Sequence, residues 1–340
     1  MRYFNFAWDL FDDTANILHK GSGLNTVTTG DSGLSPEMKT FYDRVLLKAA
    51  EPSLVHEQFA QKRPIPPNNG KNIEFRKFST LPKMLTPLVE GVTPDGQGYS
   101  VSAINATIAQ YGGYISISDM ISLTTFDNNQ AEIMKMLGSQ MGRTKDTLTR
   151  DVIAAGTNVI YAGGKTSRKD ITNEDKFSIE LVKQAVKKLK RQNAPKIGDS
   201  YVAIVHPDTT FDLWKDPEWI EAQKYSHAEK IYKGEIGQMY GVRFVESTEA
   251  KFWGSDDSTT GTATVYGTLV LGEDAFGLIS INGGGAQTIV KQLGSGGTAD
   301  PLNQRATMGW KLNTVTKILD DTRMVRIEHG HSMGGDKESN

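Results

Sequence analysis

Lys71-Asn-Ile-Glu-Phe-Arg-Lys-Phe78 and Tyr99-Ser-Val-Ser-Ala-Ile-Asn-Ala-Thr-Ile-Ala-Gln110 read as the two arms of a strand pair lying within Arg63 to Asp119. In the first arm Ile73 and Phe75 alternate with Glu74 and Arg76, the period-two pattern of a half-buried strand. In the second arm the apolar positions are odd at Tyr99, Val101 and Ala103, then even at Ile104, Ala106 and Ile108. That slip of one residue predicts a β-bulge. Between the arms, Asp95-Gly96 signals a turn, and Pro82, Pro87 and Pro94 interrupt any regular ladder. Some fifteen residues each way would span roughly 50 Å, and an isolated two-stranded ribbon is marginal in water. Cover must come from the rest of the chain or from another copy of it.

Upstream, residues 1–35 are aromatic and then small and polar, the composition of an arm that orders only on docking. Ser35-Pro36 opens a helix, with Ser35 as N-cap, and Phe41, Val45, Leu46 and Ala49 continue it at helical spacing to Pro52. A short second helix is expected through Leu54, Val55 and Phe59. Downstream, residues 129–158 carry the longest helical pattern. Its stripe is Ile133, Leu137, Met141, Thr144, Leu148, Val152 and Ala155, with Lys135, Arg143, Lys145 and Arg150 on the opposite face. Gly138 and Gly142 beside this stripe predict close approach by another element.

After Gly163 the pattern becomes a compact α/β lobe. A helix carries Ile179, Val182, Val186 and Leu189, and strands are expected at 201–205, 265–271, 277–281, 305–317 and 324–328, with a polar tail after His331. The whole is α+β.

With 340 residues and 38% hydrophobic content the chain can fill a globular core. Its 38 basic and 40 acidic residues leave a net charge of −2, so no whole-chain attraction to nucleic acid or anionic membrane exists. Without cysteine there are no disulfides and no thiolate metal sites. No run of 18 apolar residues is present, so no membrane-spanning helix is expected, and Met1 to Asp13 does not read as a signal peptide.

Candidate chemistry does not cohere. Gly30-Asp-Ser-Gly33 matches the string around a serine-protease nucleophile, yet only His19 precedes it and a turn explains it. His329-Gly-His331 offers two imidazoles but no third ligand, so an exposed tail is expected and a metal site is not. His206 reads as a strand end entering a turn, with Asp208 capping the next segment. Lys183, Lys187, Lys188, Lys190 and Arg191 form a basic helix face; the solvated face of an amphipathic helix explains it, and a DNA-binding surface at 183–191 is the alternative. No phosphate loop or dinucleotide fingerprint occurs. No enzyme activity, catalytic residue, metal or cofactor is expected.

An arm, a helix, a long hairpin, a spine helix and a later α/β lobe, in that order, resemble the HK97-type fold of tailed-phage major capsid proteins, and most closely the phage N4 capsid family. The strings carrying the resemblance include Phe41-Tyr-Asp-Arg-Val-Leu-Leu47, His56-Glu-Gln-Phe-Ala-Gln-Lys-Arg-Pro-Ile-Pro66 and Gly70-Lys-Asn-Ile-Glu-Phe-Arg-Lys-Phe78. Further along are Leu88-Val-Glu-Gly-Val-Thr-Pro94, Gln110-Tyr-Gly-Gly-Tyr114, Thr149-Arg-Asp151, His206-Pro-Asp208, Gly234-Glu-Ile-Gly237 and Gly241-Val-Arg243. The resemblance implies an N-terminal arm and first helices at 1–62 and a hairpin at 63–118, the E-loop, lying across a neighbouring subunit. It also implies a spine helix at 119–165, an axial domain at 166–304, and returning strands with a polar tail at 305–340.

It further implies a virion shell assembled in the host cytoplasm from pentamers and hexamers of this chain around double-stranded DNA. Portal and decoration or scaffolding proteins are the implied partners. An encapsulin-like compartment is the alternative within the fold. Arg63, Glu74, Arg76 and Glu90 are the charged hairpin residues expected to meet a neighbouring subunit.

Overall fold

The computed structural model describes residues 36–340, apart from 51–53, 67–69, 80, 89, 92, 94, 125–128, 225–235, 262, 282–285, 297–299 and 334–338. The N-terminal arm, the Gly30-Asp-Ser-Gly33 string, His19 and the cap Ser35 lie outside the described residues. In chain order the elements begin with α1 (Pro36–Ala50), a 3₁₀ turn at His56–Phe59 where a second helix was expected, and β1 (Gln61–Ile65). Then come β2 (Asn72–Phe78), β3 (Val101–Thr107), β4 (Ala109–Ser118), α2 (Asp119–Thr124), α3 (Asn129–Ala154) and β5 (Val159–Tyr161). The later part holds α4 (Ile179–Arg191), β6 (Tyr201–Val205), α5 (Pro207–Leu213), α6 (Pro217–Lys224), β7 (Gln238–Met239), β8 (Val242–Glu246) and β9 (Phe252–Trp253). It ends with β10 (Val265–Leu271), β11 (Phe276–Ile281), β12 (Gln287–Lys291), β13 (Arg305–Ile318) and β14 (Met324–His329).

Two sheets carry the body. In the first, the fourteen-residue β13 takes β4 along one edge and β12 and then β11 along the other, with β1 parallel outside β11. Its inner face bears Met308, Trp310 and Leu312, which pack under Tyr42 and Leu46 of α1 and Met134, Leu137 and Met141 of α3. The second sheet runs β5-β14-β10-β6-β8-β7, with β9 also on β10. All five residues of β6 and all seven of β10 are buried, as a strand covered on both faces requires. One face meets α4 through Val182, Ala185 and Leu189, and the other meets Ile153 of α3 and Phe276 of β11.

The two glycines of α3 do what their placement predicts. A Cβ at Gly138 would lie 2.4 Å from the Leu46 carbonyl oxygen, and one at Gly142 would lie 2.7 Å from that of Ala50. α1 therefore rests on the backbone of α3.

The far half of α3 departs from the stripe. Thr144, Leu148 and Val152 are half-buried, while Asp146, Thr149, Arg150 and Ile153 are fully buried. Arg150, expected on the solvent face, is 1% exposed because its guanidinium donates to Asp151 and to the Glu249 carbonyl. Lys145 is likewise paired with Glu57 at 2.8 Å. A helical wheel sorts residues by polarity, and a satisfied guanidinium defeats the sorting.

The histidines also differ from the expectation of an exposed tail. His329 is wholly buried, and His331 is buried with Nδ1 2.8 Å from Asp212 Oδ2. Both are structural: Tyr266 packs on both rings, and Thr209 and Thr268 lie at His329 Nε2. His206, rather than Asp208, caps α5, its Nδ1 accepting from the Asp208 N–H. Ser339 and Asn340 bond to residues 250–257, so the end of the described chain is docked.

Candidate subunit-contact surface

The hairpin is shorter than its sequence pattern, and its strands are shared between sheets. β2 and β3 pair without a break from Asn72↔Thr107 to Phe78↔Val101. The continuation on each side leaves the ribbon: β1 joins β11, and β4 pairs with ten residues of β13. The parity slip is therefore not a bulge inside β3. A separate change of parity falls at Ile108–Ala109, where inward-facing positions change from Ile104, Ala106 and Ile108 to Tyr111, Ile115 and Ile117 as the strand passes from hairpin to sheet.

The odd apolar residues have another explanation. In an antiparallel pair, opposed residues share a face. Ile73 with Ala106 and Phe75 with Ile104 form the face turned to the body, where they pack on Ile65, Ile279 and Val315. Phe78 with Val101, and Tyr99 beyond them, stand on the opposite face. Phe78 is 64% and Tyr99 71% exposed, with ring centroids 6.3 Å apart. The apolar surface thus crosses from one side of the ribbon to the other between its base and its tip.

The base is fixed by named contacts. Phe75 lies over Gly277, where a Cβ would meet its ring at 3.1 Å, and the Arg63 guanidinium sits 5.1 Å from the Phe75 ring centroid. Lys77 Nζ lies 2.9 Å from Asp320 Oδ1. Burial works against the Asp320 anion, but hydrogen bonds from Thr322 and Lys77 outweigh it and hold its pKa below the usual carboxylate range. Beneath, the backbone and ring nitrogens of His56 bond to Asp146 of α3 at 2.8 and 2.7 Å, anchoring the approach to β1.

Among the described residues between Phe78 and Tyr99, no ion pair or buried apolar cluster ties the ribbon to the body. Leu81, Met84, Leu85 and Leu88 are all exposed, Leu85 at 84%.

The four charged residues singled out from sequence fall into three places. Glu74 and Arg76 share the outward face of β2 and pair at 3.1 Å; Arg63 belongs to the base; Glu90 lies at the far end of the hairpin in an exposed turn. The structure does not bring them together. Lys77, Asp320 and the outward Phe78–Tyr99 pair were missed, although Phe78, Val101 and Tyr99 were legible as apolar residues of the wrong parity.

On α4, Lys183 pairs with Glu218 at 2.7 Å and Lys188 donates to the Val159 carbonyl, which breaks the basic stripe into a weaker set at Lys187, Lys190 and Arg191. Among the described residues no cluster of His, Cys, Asp or Glu is arranged to hold a metal, and no helix is long and apolar enough to cross a membrane.

A hairpin projecting from two packed sheets braced by one long helix defines a shell-forming fold of the HK97 type. The chain belongs to the phage capsid protein family, whose model matches residues 101–327. Its fold is similar to the capsid of Ralstonia phage GP4, with a TM-score of 0.62 at 16% identity over 80% of this chain and 87% of that one. It is also similar to the capsid of cyanophage P-SCSP1u, with a TM-score of 0.61 at 15% identity over 92% and 94% of the two chains. The cyanophage Pam1 capsid gives a TM-score of 0.60 at 12% identity over 82% and 93%. No curated protein sequence matches. The chain is thus a structural protein of the phage shell and a component of the virion.

Proposed function

We propose that many copies of this chain assemble as pentamers and hexamers into an icosahedral shell enclosing the double-stranded DNA of a tailed bacteriophage. The observation that carries this reading is the hairpin tip, whose apolar residues face away from the body that supports its base. Exposed apolar clusters of this kind mark interaction surfaces, and an identical neighbour is the partner a closed shell supplies.

In this reading the hairpin at 63–118 is the E-loop across the next subunit, α3 is the spine of a peripheral domain, and residues 166–304 form the axial domain. Residues 305–340 then return through both domains. Arg63, Glu74, Arg76 and Glu90 are its charged intersubunit contacts, and assembly takes place in the host cytoplasm with portal and decoration or scaffolding proteins.

Expression of the chain with subsequent sedimentation and electron microscopy tests the proposal, with shells or capsomers as the expected product. A compact monomer at high concentration, with no such particles in virions, would sink it. Arg76→Ala with Glu90→Ala should lower assembly yield and shell melting temperature; unchanged values would remove those residues from the interface.

A further inference from the structure

Among the described residues, β9 has a strand on one side only. Its inner edge pairs with β10, Val265 opposite Trp253 and Tyr266 opposite Phe252. Antiparallel alternation turns the Ala250 carbonyl and the Phe252 and Gly254 N–H groups to the other edge. β9 is also fixed in place. Trp253 rests on Gly267, where a Cβ would lie 2.9 Å from the indole, and the Arg168 guanidinium sits 3.6 Å from the Trp253 ring centroid. Just before β9, Arg150 donates to the Glu249 carbonyl at 2.9 Å.

Ser339 and Asn340 fill the open edge group by group. Asn340 Oδ1 accepts from the Phe252 N–H at 3.0 Å, and Asn340 Nδ2 donates to the Ala250 carbonyl at 2.9 Å. A side-chain amide thus stands where the peptide group of a next strand would stand. The Ser339 hydroxyl accepts from the Gly254 N–H at 3.0 Å and donates to Asp257 Oδ2 at 2.8 Å. Lys251 Nζ donates to the Asn340 carbonyl oxygen.

The charged groups beside the edge suit this occupant. Burial lowers the pKa of Lys251, and Asp151 at 3.6 Å works against that. Hydrogen bonds from Thr259 and Ser339 hold Asp257 at about 2, so its carboxylate stays an acceptor for the Ser339 hydroxyl through neutral and mildly acid pH.

We infer that Ser339-Asn340 is a releasable cap on β9 and that it keeps this edge from pairing with a strand of a second copy. Uncapped, Ala250-Lys-Phe-Trp-Gly254 would present an aromatic stretch with two free N–H groups and one free carbonyl, the template for edge-to-edge association. The cap satisfies all three with two short side chains and adds no strand to the sheet. Its release leaves the core intact, because neither residue belongs to an apolar cluster and Ser339 is exposed.

The test compares the full chain with its Ser339→Ala, Asn340→Leu double variant. Hydrogen exchange at the Phe252 and Gly254 amides should quicken at least about tenfold, while Val270 inside the sheet stays unchanged. Sedimentation should show added heavy material that lacks the form of shells and grows with concentration. A free peptide of residues 333–340 in large excess should restore slow exchange and remove that material. The same peptide carrying Asn340→Leu should do neither.

Unchanged exchange at both amides overturns the inference. Faster exchange that spreads to Val270 marks a general loosening and overturns it as well. Faster exchange confined to the two amides but without new association, or not reversed by the peptide, removes the role of guarding the edge.

Discussion

Lys77 of β2 and Asp320, just past the end of β13, form an ion pair of 2.9 Å that ties the projecting ribbon to the body. Lys77 is about half exposed and Asp320 largely covered, so the pair works as a tether at the last supported residues before the tip. Lys77→Ala should cost the folded chain only about 0.2–1 kcal/mol. Amide exchange should nevertheless quicken along β2 and β3, and raised salt should reproduce part of the effect in the unsubstituted protein. Unchanged exchange in the hairpin would show that the apolar packing of its base holds it without the ion pair.

Gly138→Ala should be destabilising although alanine is the better helix former. Helix propensity gains about 1 kcal/mol, but the added methyl meets the Leu46 carbonyl at 2.4 Å and forces α1 from α3, a cost of roughly 1–3 kcal/mol or more. Gly96→Ala, where the space is open, should be neutral or slightly stabilising. Thermal melts of the two variants should therefore move apart.

Arg326→Met should be among the most damaging single changes in the body. Arg326 donates to the Ala154 and Gly156 carbonyls at the end of α3 and, at 2.7 Å, to the fully buried Glu328. Arg168 would remain on Glu328, but the helix end and half of the carboxylate's partners would be lost. A loss of about 3 kcal/mol is expected, read as a lower urea midpoint at unchanged slope.

Acid should weaken the second sheet through His329. Burial pushes its pKa down to about 4, against an ordinary value near 6.5, because the imidazolium would be desolvated among Phe177, Tyr266, Thr209 and Thr268. The unfolded chain then binds the proton more readily than the folded one. Stability is full above about pH 6.5 and falls as pH drops toward 4, by roughly 3 kcal/mol in all. Denaturation midpoints between pH 7 and 4.5 measure this, and His329→Gln should flatten the slope over that interval.

Much of the architecture was legible because it rests on periodicity. The apolar run of Tyr201–Val205, the spacing of Ile179, Val182, Val186 and Leu189, and the alternation of Arg305–Lys317 each specify an element without reference to distant residues. The hairpin was legible as alternating strands, and its glycine-marked neighbour α3 as a strut. Three readings failed for one reason. Arg150, His329 and His331 are polar, and polarity alone places them outside; the carbonyl of Glu249, the hydroxyls of Thr209 and Thr268 and the carboxylate of Asp212 place them inside. Those partners lie far away in sequence.

The order of the elements and the periodicity of the longer helices and strands were determined by the sequence alone. Only the tertiary structure decided that the apolar surface changes sides along the ribbon, and that Gly309 leaves an open slot between Tyr114 and Ile289. Both depend on which residues stand opposite each other across strands. Register is set by hydrogen bonding and packing between segments as much as two hundred residues apart, and no local pattern encodes it.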